Sequence, residues 1–117
     1  KSWWDTVDLL AARVYGALCR NAPELRARLD AYARHEDPWL RRVAILHQLH
    51  YGAGTDRARL AETLEANLSA SDFFIRKAMG WALRQFARTD PEWVRGWVAA
   101  HSGQISGLTR REALKHL

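Results

Sequence analysis

The chain has 117 residues, with 18 Lys and Arg against 13 Asp and Glu, a net charge of +5 and a sequence pI near 10.0. That length suits one domain with its own core. A hydrophobic share of 48% beside 26% charged residues argues against disorder, and no run approaches the roughly 18 apolar residues of a membrane span. The positive balance favours a polyanion as partner, nucleic acid first. The single Cys19 excludes an internal disulfide and paired-cysteine zinc sites. It fits a reducing, cytoplasmic setting and reads as a small core filler. The opening Lys1-Ser2-Trp3 carries neither Met nor the apolar core of a signal peptide, as expected for the middle of a longer protein.

Apolar residues recur at three and four rather than alternating, so the chain reads as all-α. Ser2 is expected to cap a first helix to about Arg20, with Trp3, Val7, Leu10, Val14 and Leu18 as its buried stripe. Asn21 and Pro23 break it, and a second helix runs from Pro23 to about Arg34. Asp37-Pro38 supplies a cap and a first-position proline for a third, ending near Tyr51-Gly52. Thr55 is expected to cap a fourth helix, Ser71 a fifth that reaches Ala87, and Asp90-Pro91 to open a sixth. Thr109 with Glu112 three residues on forms a capping box for a short seventh. The stretches 52–55 and 102–107 are loops rather than linkers, and 1–117 reads as a single domain.

An internal repeat organises these helices. Trp4, Trp39 and Phe74 are spaced by 35 residues, as are Arg41, Arg76 and Arg111. Asp37-Pro-Trp-Leu-Arg41-Arg42 aligns with Asp72-Phe-Phe-Ile-Arg76-Lys77. This is the register of helical hairpins stacked into a HEAT-like, right-handed α-α superhelix of about seven helices, whose odd helices line a concave surface.

Several residues carry candidate chemistry. On the first helix Trp4 and Asp8 are four apart and share a face. A carboxylate beside an indole can stabilise a developing positive charge. The plainer reading is that Asp5 and Asp8 favour the helix dipole while Trp4 packs on the next repeat. On the fifth helix Lys77, Trp81, Arg84 and Arg88 form a stripe apart from the apolar face of Ile75, Ala78, Met79, Ala82 and Phe86. Cations there can engage phosphates while the indole meets sugar or base; alternatively the stripe is a solvated face with Trp81 covered by a neighbouring helix. Arg42 aligns with Lys77 and should point into the same concavity. The Arg41, Arg76, Arg111 series instead reads as ties between repeats. His35, His47, His50, His101 and His116 form no HExxH pattern, and P-loop, G-x-G-x-x-G and G-x-S-x-G signatures are missing. Neither a metal nor a cofactor is expected. His50 reads as a partly exposed helix-end residue that could add charge near the groove, and Trp93 and Trp97 as packing residues.

The segments Lys1-Ser-Trp-Trp-Asp-Thr-Val-Asp8, Trp39-Leu-Arg-Arg-Val-Ala-Ile-Leu46, Phe73-Phe-Ile-Arg-Lys-Ala-Met-Gly-Trp81-Ala-Leu-Arg84 and Arg111-Glu-Ala-Leu-Lys-His116, in that order, resemble AlkD-type DNA alkylation-repair glycosylases. The resemblance spans essentially the whole chain. It implies hydrolysis of the N-glycosidic bond of cationic alkylated purines, such as 3-methyladenine and 7-methylguanine, in double-stranded DNA. It also implies no cofactor, a base that stays stacked, and a monomer in the cytoplasm, at the nucleoid when bound to DNA. The family's cleft residues fall on Trp4, Asp8 and Trp81, its cleft arginine on Arg42 and a backbone contact on Arg84. Lys77 and Arg88 join the phosphate-binding set from the stripe. The family places further helices before the Ser-Trp-Trp motif, so this segment resembles the C-terminal part of the fold, expected to fold yet to bind and cleave poorly by itself. The alternative is a non-catalytic HEAT-like module that binds nucleic acid or protein.

Overall fold

The computed structural model describes the backbone of residues 3–20 and 22–117 and the side chains of residues 10, 12–20 and 22–117. Seven α-helices lie within them: α1 (Trp3–Cys19), α2 (Pro23–Tyr32), α3 (Pro38–Leu46), α4 (Arg57–Glu65), α5 (Phe73–Ala87), α6 (Pro91–Ala100) and α7 (Gly107–Ala113). No strand occurs among the described residues, and no helix there is long and apolar enough to cross a membrane.

Short polar side chains start most of these helices by accepting the orphan N–H groups of the first turn. Asp37 accepts from the Trp39 amide at 2.9 Å and Asp90 from that of Trp93 at 3.1 Å, as the sequence leads one to expect. Three other expected caps are displaced. Asp56, not Thr55, caps α4 by accepting from the Arg59 amide, and Asp72, not Ser71, caps α5 by accepting from Phe74 and Ile75. In both pairs a carboxylate next to a hydroxyl takes the site, since its charge also meets the helix dipole. Helix α7 starts earlier than the Thr109 box: Ser106 is its cap, and Thr109 is buried inside it, its hydroxyl donating to the Arg76 carbonyl at 2.9 Å. Helices α2 and α3 are also shorter than expected, with α3 giving way to a turn at His47 and a 3-10 turn at Gly52–Gly54.

Consecutive odd helices pack on one another, α1 on α3, α3 on α5 and α5 on α7, while α2, α4 and α6 pack against the odd helices beside them. The main core gathers around α5, with Ile45, Leu46, Leu60, Leu64, Ile75, Met79, Leu83 and Val94 buried together. A smaller cluster of Cys19, Leu29 and Val43 lies under α1 and α2. Cys19 is the core filler expected of it, and burial pushes its thiol pKa up. Trp93 and Trp97 pack as expected, Trp97 buried and Trp93 edge-on to Phe86.

The apolar stripe expected to bury α1 is a correction. Leu10, Val14 and Leu18 are 61%, 49% and 55% exposed, and the side chains of Trp3 and Val7 lie outside the described residues. The inward face is made instead of Ala12, Gly16 and Cys19. At Gly16 a methyl group would stand 2.4 Å from the His47 carbonyl oxygen, so α1 approaches α3 more closely than any larger residue permits. The Tyr51 hydroxyl closes this contact by donating to the Gly16 carbonyl at 2.6 Å.

Candidate nucleic-acid interface

Two helix starts related by the repeat place aromatic and cationic side chains side by side. On α3, Trp39 and Arg42 are three apart and hence neighbours. The Arg42 guanidinium carbon lies 5.3 Å from the Trp39 ring centroid and 5.3 Å from that of Phe74 on α5, so it bridges the two helices. Phe74 meets Phe73 edge-on with centroids 5.3 Å apart. One turn on, Lys77 Nζ lies 5.9 Å from the Phe73 ring and 5.1 Å from that of Trp81. The result is a strip that runs from Trp39 through Arg42, Phe74, Phe73 and Lys77 to Trp81. Each cation lies within about 6 Å of a ring face, the range in which the ring quadrupole attracts it.

Trp81 is half-buried, its indole also packed on the core. It is therefore neither a wholly covered core residue nor a free one. Arg84 turns toward α7 and pairs with Glu112 at 3.2 Å, a carboxylate partner that sequence reasoning did not assign. Arg88, exposed at the end of α5, lines a cavity of about 70 Å³ together with Arg84, Ala113 and His116. The structure thus joins Arg42, Lys77 and Trp81 in one strip and places Arg84 and Arg88 together beside α7. The side chains of Trp4 and Asp8, on the first turns of α1, lie outside the described residues.

The neighbouring arginines 41 and 42 divide as their repeat positions suggest. Arg41 Nε donates to the buried Asn67 Oδ1 at 2.7 Å, and Arg76 Nε to the Ala70 carbonyl at 2.8 Å. Both serve to tie the chain together. A larger cavity, about 600 Å³, opens where α1 and α3 end, lined by Arg20, Arg26, His47, Gln48, Tyr51 and Arg59. Its arginines are engaged with the protein: Arg26 donates to the Cys19 and Arg20 carbonyls, and Arg59 pairs with Asp30. This cavity contains no residue of the strip. Among the described residues no group of three His, Cys, Asp or Glu is placed to hold a metal ion. His50 is exposed at the end of its turn, as the sequence suggests.

Residues missed by sequence reasoning are Trp39, Phe73 and Phe74, which serve there as markers of the repeat. The signal was present: Trp39 stands three residues before Arg42, and Phe73 four before Lys77.

Residues 1–117 match the family described as DNA alkylation repair enzyme. The chain belongs to that family. A solved structure described as a predicted DNA alkylation repair enzyme from Enterococcus faecalis superposes with a TM-score of 0.85 at 32% sequence identity. The match takes in 99% of this chain and 54% of that one, so this DNA alkylation repair family member spans about half the length of its structural relative. No curated protein matches it. A strip that combines cations with ring faces has the chemistry to meet phosphates by charge and sugars or bases by aromatic contact.

Proposed function

We propose that the protein is an alkylpurine DNA glycosylase, hydrolysing the N-glycosidic bond of cationic alkylated purines such as 3-methyladenine and 7-methylguanine in double-stranded DNA. The observation that carries this reading is the Arg42, Lys77 and Trp81 strip, which sets cations beside an aromatic face in a member of a DNA alkylation repair family.

The chemistry follows from the substrate. An alkylated purine already bears positive charge, so it leaves as a neutral base and needs little protonation. Breaking the C1′–N bond creates an oxocarbenium-like sugar. Asp8 as a carboxylate stabilises that cation and accepts a proton from the water whose oxygen bonds to C1′. Trp4 and Trp81 hold the lesion nucleotide through CH–π and cation–π contacts. Arg42, Lys77, Arg84 and Arg88 hold the flanking phosphates.

The test is release of 7-methylguanine from methylated duplex DNA. Asp8→Asn is expected to abolish release while leaving duplex affinity and helix content unchanged. Normal release by that variant would remove Asp8 from the mechanism. The competing reading is a HEAT-like module that binds nucleic acid or protein without catalysis. Duplex affinity with no base release under single-turnover conditions would select it.

A further inference from the structure

We propose that Phe73 is a DNA-contacting residue whose ring packs on the apolar face of a deoxynucleoside in the duplex, beside the phosphates met by Arg42 and Lys77. The inference rests on the nucleic-acid reading above and assigns a residue that reading does not use.

The argument starts from how helices begin in this chain. Helices α2, α3 and α6 each carry proline in the first turn: Pro23, Pro38 and Pro91. Proline suits that position because its missing N–H would find no partner within the helix. Helices α3, α4, α5 and α6 share an aspartate cap, giving Asp37-Pro38, Asp56-Arg57, Asp72-Phe73 and Asp90-Pro91. Asp72 has φ −66° and ψ 126°, close to the −75° and 114° of Asp37, so its extended backbone would accept a following proline equally well. The local structure therefore does not ask for phenylalanine at position 73.

Nor does the core. Phe73 is 52% exposed, and the main core cluster does not include it. A single exposed aromatic on a surface needs no explanation, but this one is continuous with the strip: its ring meets Phe74 edge-on and lies 5.9 Å from Lys77 Nζ. An exposed ring held between a second ring and a cation complements an apolar sugar or base face with a phosphate alongside.

The repeat also supplies the test. Phe73→Pro installs the residue found at Pro38 and Pro91, so the variant is expected to keep the wild-type helix content and thermal midpoint. Affinity for a short duplex, read by fluorescence anisotropy across a salt series, should fall by roughly five- to tenfold at every salt concentration. The slope of log affinity against log salt should not change, because the ring neutralises no phosphate. Lys77→Ala should reduce that slope by about 0.9. Phe73→Tyr, which keeps the ring, should bind as wild type. Unchanged affinity of Phe73→Pro, or a changed slope, would overturn the role of Phe73 while leaving the nucleic-acid reading in place. A wild-type chain without duplex affinity would overturn both. Should Phe73→Pro fold less well, Phe73→Ala replaces it with the same expectations.

Discussion

Asn67 shows how much a single buried amide can hold. It is fully buried, its Nδ2 donates to the carbonyls of Ala33 and Thr63 at 3.1 and 2.8 Å, and its Oδ1 accepts from Arg41. One side chain thus joins the ends of α2 and α4 to α3. Asn67→Ala strands a guanidinium and a buried carbonyl at once, so it should destabilise the fold by about 2–3 kcal/mol in urea unfolding. His47 couples stability to pH through its burial. It is buried, and its Nδ1 lies 2.6 Å from the Ala44 carbonyl, which the neutral ring can satisfy as a donor. Burial lowers its pKa, with Arg59 and Arg26 acting in the same direction and Asp30 and the Ala44 hydrogen bond opposing. The unfolded chain therefore takes up a proton near pH 6.5, before the folded one does. Stability should be greatest above that pH and fall as pH drops through it toward the lowered folded value. The loss is up to about 1.4 kcal/mol per pH unit for one such group. His50, lowered by burial and Arg13, adds to the same trend. Urea midpoints at pH 7 and pH 5.5 test this, and His47→Asn should flatten the difference. From sequence His47 was one of five unremarkable histidines, because burial of a helix-end residue depends on what another helix brings to it.

Among the helices, close approach decides more than hydrophobicity. Gly80 sits where α5 meets α7: a methyl group there would lie 2.5 Å from Glu112 Cβ and 3.3 Å from the Thr109 carbonyl oxygen. Gly80→Ala, which improves intrinsic helix propensity, should nonetheless destabilise by about 1–3 kcal/mol because the two helices must part. Gly96→Ala is the control. It lies on α6 with open space around it, so the same change there should be neutral or stabilising by up to about 1 kcal/mol. A pair of thermal melts suffices, and equal effects at both glycines would contradict the packing argument. The same physics explains which elements could be read from the sequence. The starts of α2 to α6 were legible within a residue, because aspartate and proline act locally, whereas the cap of α7 lies three residues before the one expected. The inner face of α1 was not legible. Leu10, Val14 and Leu18 have the right helical spacing to be buried, but the face of Ala12, Gly16 and Cys19 has the small volume that α3 demands. The strip was half legible. Repeat alignment placed Arg42 with Lys77 and Trp81, whereas the Arg84 to Glu112 pair joins residues 28 apart in sequence, and only the α5 to α7 contact brings them together.

At the scale of the whole molecule, a net charge of +5 becomes informative only when the cations are sorted by where they stand. Arg26, Arg41, Arg59 and Arg76 donate to carbonyls, an amide or a carboxylate within the protein. Their charge contributes to the general field while part of each guanidinium is engaged within the protein. Arg42 and Lys77 lie along the strip, and Arg84 and Arg88 stand together near α7, so a duplex laid along the odd helices would meet about four cations, not all eighteen. Each phosphate neutralised contributes about −0.9 to the slope of log affinity against log salt, so four contacts give about −3.6. Arg88→Ala should reduce the magnitude by about 0.9 with little effect on stability, since the residue is exposed. Arg84→Ala should reduce it by less than that. Arg84 must share its guanidinium with Glu112, and the ion pair it gives up offsets part of what a phosphate returns. Arg41→Met should leave the slope unchanged while lowering stability, because its guanidinium serves Asn67. A slope near zero would mean that the positive charge serves a purpose other than phosphate binding. A slope near −3.6 that Arg41→Met also reduces would mean that the duplex lies across a different face from the one lined by α3 and α5.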